Sequence, residues 1–190
     1  ATKEFHVLGD LLIRYIAGEL NANIKAVIAN HDHLKDLVEK FNIPFTCISA
    51  EGLTRDEHED KMIAKISEYE PELIVLAKYM RILTPKFVEV FPKKVLNIHH
   101  SFLPAFIGAN PYKQAHERGV KIIGATAHYV TNDLDEGPII FQDVVRVDHS
   151  YSWEDMRNAG RNVEKIVLSN AFELLLNDRV FVHGNKTVIL

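Results

Sequence analysis

A chain of 190 residues, 47% hydrophobic and 25% charged, has the composition of a folded domain and can bury a sizeable core without a disulfide or metal staple. A net charge of −4 with no basic block argues against a nucleic-acid partner, and a single cysteine, Cys47, excludes an intramolecular disulfide and a cysteine-rich zinc site. No apolar run reaches the roughly 18–20 residues that cross a bilayer, and the opening Ala1-Thr2-Lys3-Glu4-Phe5-His6 lacks the pattern of a secretion signal, so the cytoplasm is the expected location.

Short Val- and Ile-rich runs alternate with segments of helical period. In chain order the pattern predicts helix Gly9–Glu19, strand Ile24–Ala29, helix His33–Phe41, strand Phe45–Ser49, helix Arg55–Tyr69 and strand Leu73–Ala77. Helix Pro85–Phe91, strand Val95–His99, helix Pro111–Arg118 and strands Ile122–Tyr129 and Ile139–Val147 follow. The first three strands are continuously apolar, as strands buried on both faces of a parallel sheet are, and Cys47 in the second is expected as a buried structural thiol. Thr84-Pro85 and Asn110-Pro111 each set a capping side chain ahead of a first-turn proline. Ser152-Trp153-Glu154-Asp155 reads as a capping box opening a long helix, with Met156, Ala159, Val163, Ile166, Val167, Asn170 and Leu174 along one face. Arg179–Val182 and Thr187–Leu190 read as a closing hairpin across His183–Lys186. The fold class is α/β: a doubly wound, mostly parallel sheet with antiparallel additions at its C-terminal end, in one domain over residues 1–190.

Two segments carry chemistry. On strand Val95–His99, Asn97 and His99 are two apart and share a face. Ligands collect beyond the carboxyl ends of strands in open α/β sheets. An amide and an imidazole delivered side by side to that edge offer a carbonyl-polarising donor and a group that titrates near neutrality; the plainer reading is a strand end facing water. The second segment, His128–Pro138, is an acidic turn closed by Gly137-Pro138. Leu134 and Gly137-Pro138 are expected to hold Asp135 in a fixed, partly apolar setting, from which a carboxylate can orient a histidine or take a proton from water; otherwise the turn is a solvated loop. Other candidates read as structural. His31-Asp32-His33 has metal-like spacing but no recognisable third ligand, and no nucleophile elbow surrounds Ser101. Arg157 and Arg161 read as a solvated helix face, while Phe102, Phe106 and Tyr112 suit either a heterocycle pocket or the core.

These segments resemble the folate-dependent formyltransferase family, through Asn97-x-His99, Ser101-x-Leu103-Pro104 and His128-x-Val130 followed by Asp135-x-Gly137-Pro138. Within it the chain is more similar to the branch that hydrolyses formyltetrahydrofolate, over Asn97–Pro111, Gly119–Pro138, Gln142–His149 and nearly all the rest. The resemblance implies a catalytic trio of Asn97, His99 and Asp135. It implies a folate pocket formed by Met80, Arg81, Ile82 and Leu83 with Val130, Thr131, Asn132 and Asp133. It further implies no metal, no cofactor beyond the folate substrate, no nucleic-acid or membrane partner, and a homo-oligomer. The family's first strand and the branch's small amino-acid-sensing regulatory domain are expected ahead of Ala1.

The implied reaction is hydrolysis of 10-formyltetrahydrofolate to formate and tetrahydrofolate, with Asn97 and His99 stabilising the oxyanion and Asp135 activating water. Formyl transfer to glycinamide ribonucleotide and a non-catalytic folate-binding domain are the alternatives. The transferase branch resembles this chain in the trio but holds its substrate phosphate on a glycine-rich turn at the first helix N-terminus. Here the Lys3–Asp10 turn has one glycine and brings Glu4 and Asp10 there, Asp10 being expected at the helix N-terminus itself. His6 and His100 are the acceptor-side candidates; His100 stands where the transferase branch has proline.

Overall fold

A computed structural model describes every residue except Ile107 and Ala109, which belong to the Asn97–Pro111 stretch of the resemblance and lie outside the described residues. The chain divides into two compact units, one of residues 1–97 and 130–136, the other of residues 98–129 and 137–190.

The first unit alternates helix and strand: α1 (His6–Ile16), β1 (Val27–Ala29), α2 (Lys35–Glu39), β2 (Phe45–Cys47), α3 (Arg55–Ser67), β3 (Ile74–Leu76) and α4 (Pro85–Val90). The first residues of β4 (Val95–His99) complete it. β1 pairs parallel with β2, and β3 pairs parallel with β4, Leu76 lying opposite Asn97. Met62, Ile66, Leu76, Tyr79, Phe87, Phe91 and Val95 form a core. Burial raises the Tyr79 phenol to about 12, and its hydroxyl donates to the Met62 sulfur at 3.1 Å. Two helices of this unit open on side-chain caps, and the sequence predicts the one at Thr84. Thr54 forms a capping box with Glu57, and the Thr84 oxygen accepts from the Phe87 N–H ahead of α4.

Three expectations for this unit fail. α1 begins at His6, not Gly9, because Val7, Leu8, Leu11 and Leu12 form one buried stripe, and the helix starts where that stripe starts. Asp10 therefore lies inside the helix, where it accepts from Arg14 at 2.8 Å instead of facing the N-terminal N–H groups. β2 is not buried on both faces: Phe45 and Thr46 are half-buried and Cys47 is exposed. Partial desolvation and the neighbouring Asp32 raise the Cys47 pKa, so exposure brings no activation.

The second unit contains α5 (Pro111–Arg118), β5 (Ile122–Tyr129), β6 (Ile139–Arg146), α6 (Trp153–Leu176), β7 (Val180–His183) and β8 (Lys186–Ile189). β5 and β6 are antiparallel from Ile122 opposite Arg146 to a bulge at Ala127/His128, and β7 and β8 close a hairpin with His183 opposite Lys186. Together with the parallel pairs of the first unit, this is the expected α/β class with antiparallel additions. The predicted Ser152 capping box with Asp155 opens α6. Asn110, however, provides no side-chain cap. It is left-handed (φ 56°), and its backbone carbonyl accepts from Lys113 and Gln114.

α6 buries Met156, Val163 and Val167 of its predicted face, but the rest of the buried stripe differs from the predicted one. Ile166 is 45% exposed, whereas Met156, Gly160, Val163, Glu164, Val167, Leu168 and Ala171 are buried. The true stripe includes a glycine and a carboxylate, which an apolar pattern does not count. Both meet Tyr112 of α5. The Tyr112 hydroxyl donates to Glu164 Oε1 at 2.6 Å, and a β-carbon at Gly160 would collide with the tyrosine ring. Gly160→Ala should therefore destabilise the fold by about 1–3 kcal/mol through overpacking. A thermal unfolding midpoint several degrees below wild type is the expected measurement, and an unchanged or higher midpoint would show that the ring has room.

Candidate active site

In the first unit the carboxyl ends of two parallel strands organise the surroundings of Asn97. Asn97 is half-buried in β4 opposite the last residue of β3. Beyond β3 the chain passes through buried Ala77, Lys78 and Tyr79, with Lys78 left-handed (φ 54°), and emerges at Met80. The Thr2 hydroxyl donates to the Lys78 carbonyl, which ties the stretch ahead of α1 to this segment. His6 Nδ1 lies 3.3 Å from the Glu4 carboxylate.

Met80–Leu83 and the Val130–Asp135 loop are fastened to the same core. Leu83 and Val130 pack against its buried cluster, and the Val130 N–H donates to the Val95 carbonyl at 2.9 Å. Met80 and Ile82 point out, 61% and 55% exposed. The far end of the first segment is fixed by Glu59, a buried carboxylate on α3 that accepts from the Thr84 N–H at 2.9 Å and from the Thr84 hydroxyl. In the loop, the Thr131 hydroxyl donates to the Asp133 carbonyl at 3.2 Å, and Asn132 and Asp133 are exposed. Asp135 is half-buried and left-handed (φ 57°). Leu134, expected to help hold Asp135 in a partly apolar setting, is 55% exposed.

The second unit holds the histidines. His99, the last residue of β4, is buried, and its ring stacks on His100 at 5.1 Å with 11° between planes. The loop that follows is welded to the β5–β6 hairpin. The Thr126 hydroxyl donates to the Ser101 carbonyl at 2.9 Å and accepts from the Leu103 N–H at 3.0 Å and the Gln142 amide at 2.8 Å. The Gln142 amide also donates to the Leu103 carbonyl, and Ser101 donates to the Ala105 carbonyl at 2.7 Å. Ser101 is thus a structural hydroxyl. Gly124 on β5 lets Phe102 approach, since a β-carbon there would crowd both Phe102 and the Asp143 carbonyl. Phe102, Phe106 and Tyr112 line an apolar cleft with His100 at its side.

Asn97, His6, Met80–Leu83 and Val130–Asp135 all belong to the first unit, and the second places His99 beside His100. Glu59, Thr126 and Gln142 escaped the sequence reading. Their only signal is polarity at positions that the pattern requires to be buried. Among the described residues no group of three histidine, cysteine or acidic side chains could hold a metal, and no helix is long and apolar enough to cross a membrane.

A family model described as formyl transferase matches residues 1–172. The chain is 65% identical over 189 residues to the formyltetrahydrofolate deformylase of Escherichia coli K12, covering all of this chain and 68% of that protein. Among solved structures it is similar to a formyltetrahydrofolate deformylase from Pseudomonas syringae (46% identity, TM-score 0.97, all of this chain and 63% of that one). It is also similar to glycinamide ribonucleotide transformylase 1 from Symbiobacterium toebii (29% identity, TM-score 0.94, all of this chain and 91% of that one).

Glu59→Ala removes the acceptor for both Thr84 groups. Each lost bond to a charged group is worth about 1.5–3 kcal/mol, so Thr84 and its neighbours should open locally. Amide exchange at Thr84 should accelerate by at least about tenfold while exchange in β5 stays as in wild type. Uniform acceleration across the chain would show that Glu59 supports the whole fold and not this segment.

Proposed function

The chain belongs to the formyl transferase family, and within it we propose that residues 1–190 form the catalytic unit of a formyltetrahydrofolate deformylase, which hydrolyses 10-formyltetrahydrofolate to formate and tetrahydrofolate. One observation carries the reading. Identity to the deformylases far exceeds identity to the transformylase, although the backbones are about equally similar. The start of α1 supports it. A transferase needs an anion site for its phosphorylated amine, and a helix N-terminus is the ready-made one. Here the Glu4 carboxylate stands at that end, paired with His6.

In this reading the pterin lies along Met80–Leu83 and the Val130–Asp133 loop, where backbone amides meet the donor and acceptor edge of a flat heterocycle. Water attacks the formyl carbon. Asn97 and His99, projecting from one side of β4, donate to the developing oxyanion, a role worth about 2.7–4 kcal/mol per donor. Asp135 takes the proton from the attacking water and returns it to the folate nitrogen as the carbon–nitrogen bond breaks. The products are formate and tetrahydrofolate. Every proton that moves is served by a side chain or water, and the folate is substrate, with no resident cofactor or metal. The enzyme works in the cytoplasm on a dissolved substrate.

Formate release from 10-formyltetrahydrofolate by the purified protein is the direct test; none above blank with saturating folate would leave a binding domain. Asp135→Asn preserves shape and removes the carboxylate. Turnover should fall at least about 100-fold with folate binding largely retained, the size of a general-base loss, and His99→Ala should behave alike. Normal turnover in Asp135→Asn would end its assignment. With glycinamide ribonucleotide also present, formate should remain the product. Formylated amine in preference to formate would move the chain to the transferase branch.

A further inference from the structure

We infer that Tyr112 and Glu164 are positioning residues for the deformylation, acting through the ring of His100 on His99. The inference rests on the reading of His99 as an oxyanion donor. Glu164 is fully buried on α6, in a stripe otherwise made by Met156, Gly160, Val163, Val167 and Leu168. A carboxylate in such a place is costly unless donors meet it. The Tyr112 hydroxyl is one, at 2.6 Å from Oε1, short in the way that hydrogen bonds to a charged oxygen are. One turn earlier, Gly160 leaves the space that the tyrosine ring occupies. The ring is therefore fixed at two points by one helix, through a hydrogen bond at its tip and the bare backbone against its edge.

From that fixed ring the contacts run toward the histidines. Tyr112 lies 6.3 Å from His100, tilted by 38°, and His100 lies nearly parallel to His99 at 5.1 Å. Packing alone would call for neither polar group, because phenylalanine at 112 and an aliphatic residue at 164 fill the same volume. The hydroxyl and the carboxylate instead define where the Tyr112 ring stops. That ring limits the tilt of His100, and the stack passes the limit to the plane of His99. An oxyanion donor is sensitive to that plane, since a hydrogen bond weakens steeply as its N–H turns away from the acceptor.

The test is kinetic and spectroscopic. Tyr112→Phe keeps the ring and loses the hydroxyl. In it kcat for formate release should fall about tenfold, a modest share of what a misplaced catalytic group costs, with KM for the folate within about twofold of wild type. In a His100→Ala background the same substitution should cost nothing further, because its effect passes through His100. Glu164→Gln retains an acceptor for the hydroxyl and should keep most of the activity that Glu164→Ala loses. Additive losses in the double variant, or a rise in KM that accounts for the whole effect, would overturn the inference. Independently of turnover, the ¹H–¹⁵N imidazole signals of both His99 and His100 should shift in Tyr112→Phe, and unchanged signals would overturn it as well. A wild-type protein that releases no formate while those signals shift would overturn the deformylase reading and leave the ring coupling standing.

Discussion

The loop after β4 has little regular structure of its own, and it keeps its shape because one buried hydroxyl is used three times. Thr126 donates to the Ser101 carbonyl and accepts from the Leu103 N–H and the Gln142 amide. Each bond adds only about 0.5–1.5 kcal/mol net, but the alternative is a buried loop with unmet peptide groups, and in a low-dielectric interior that penalty is larger than the gain. His99 and His100 immediately precede this loop, so their backbone inherits the rigidity of the β5–β6 hairpin. A strand end alone would fray. Here it is continued by a segment that the hairpin fixes from the side.

The first unit solves a related problem in a different way. Its proposed ligand surface must show apolar side chains to solvent and still stay ordered. Residues taken alternately inward and outward achieve this. Leu83 and Val130 go into the core, while Met80, Ile82 and Leu134 stay outside. Exposed apolar area costs about 25 cal/mol per Å², which a flat ligand covering it would recover. Glu59 keeps the inward residues in place by holding Thr84 from the next layer. A buried carboxylate that binds backbone is a stiffer tether than another aliphatic contact would be, because it specifies direction as well as distance.

Much of this was legible in the sequence wherever side-chain period and turn chemistry agree. β4, β5 and α5 fall on their predicted residues, and the Thr84 and Ser152 caps are formed as the spacing requires. The mistakes share a cause. Gly9 looked like the end of a turn, yet the stripe from Val7 to Leu12 carries the helix through it. Cys47 looked buried because its strand is apolar, but local composition does not reveal that the strand is flanked on one side only by β1 among the described pairings. Asn110 has a capping side chain but adopts a left-handed backbone, which satisfies the first turn with its carbonyl instead. Tyr112 and Glu164 are 52 residues apart and meet only in the tertiary fold. Glu164 interrupts the apolar stripe of α6, so the predicted face keeps Met156, Val163 and Val167 but strays to exposed Ile166. The gap in the pattern, Gly160 followed four residues later by Glu164, is the trace that such a pairing leaves in a sequence.

The exposed thiol of Cys47 has a practical side. It is the chain's one cysteine, it stands on β2 in the first unit, and its raised pKa keeps it mostly protonated near neutrality. Thiolate-selective reagents therefore react with it slowly and at a single address. A maleimide dye or spin label placed there at mildly alkaline pH would report on the first unit alone and would leave the histidines of the second unit chemically untouched. The molecule thus comes with one built-in attachment point for spectroscopy, and no engineered cysteine is needed to create it.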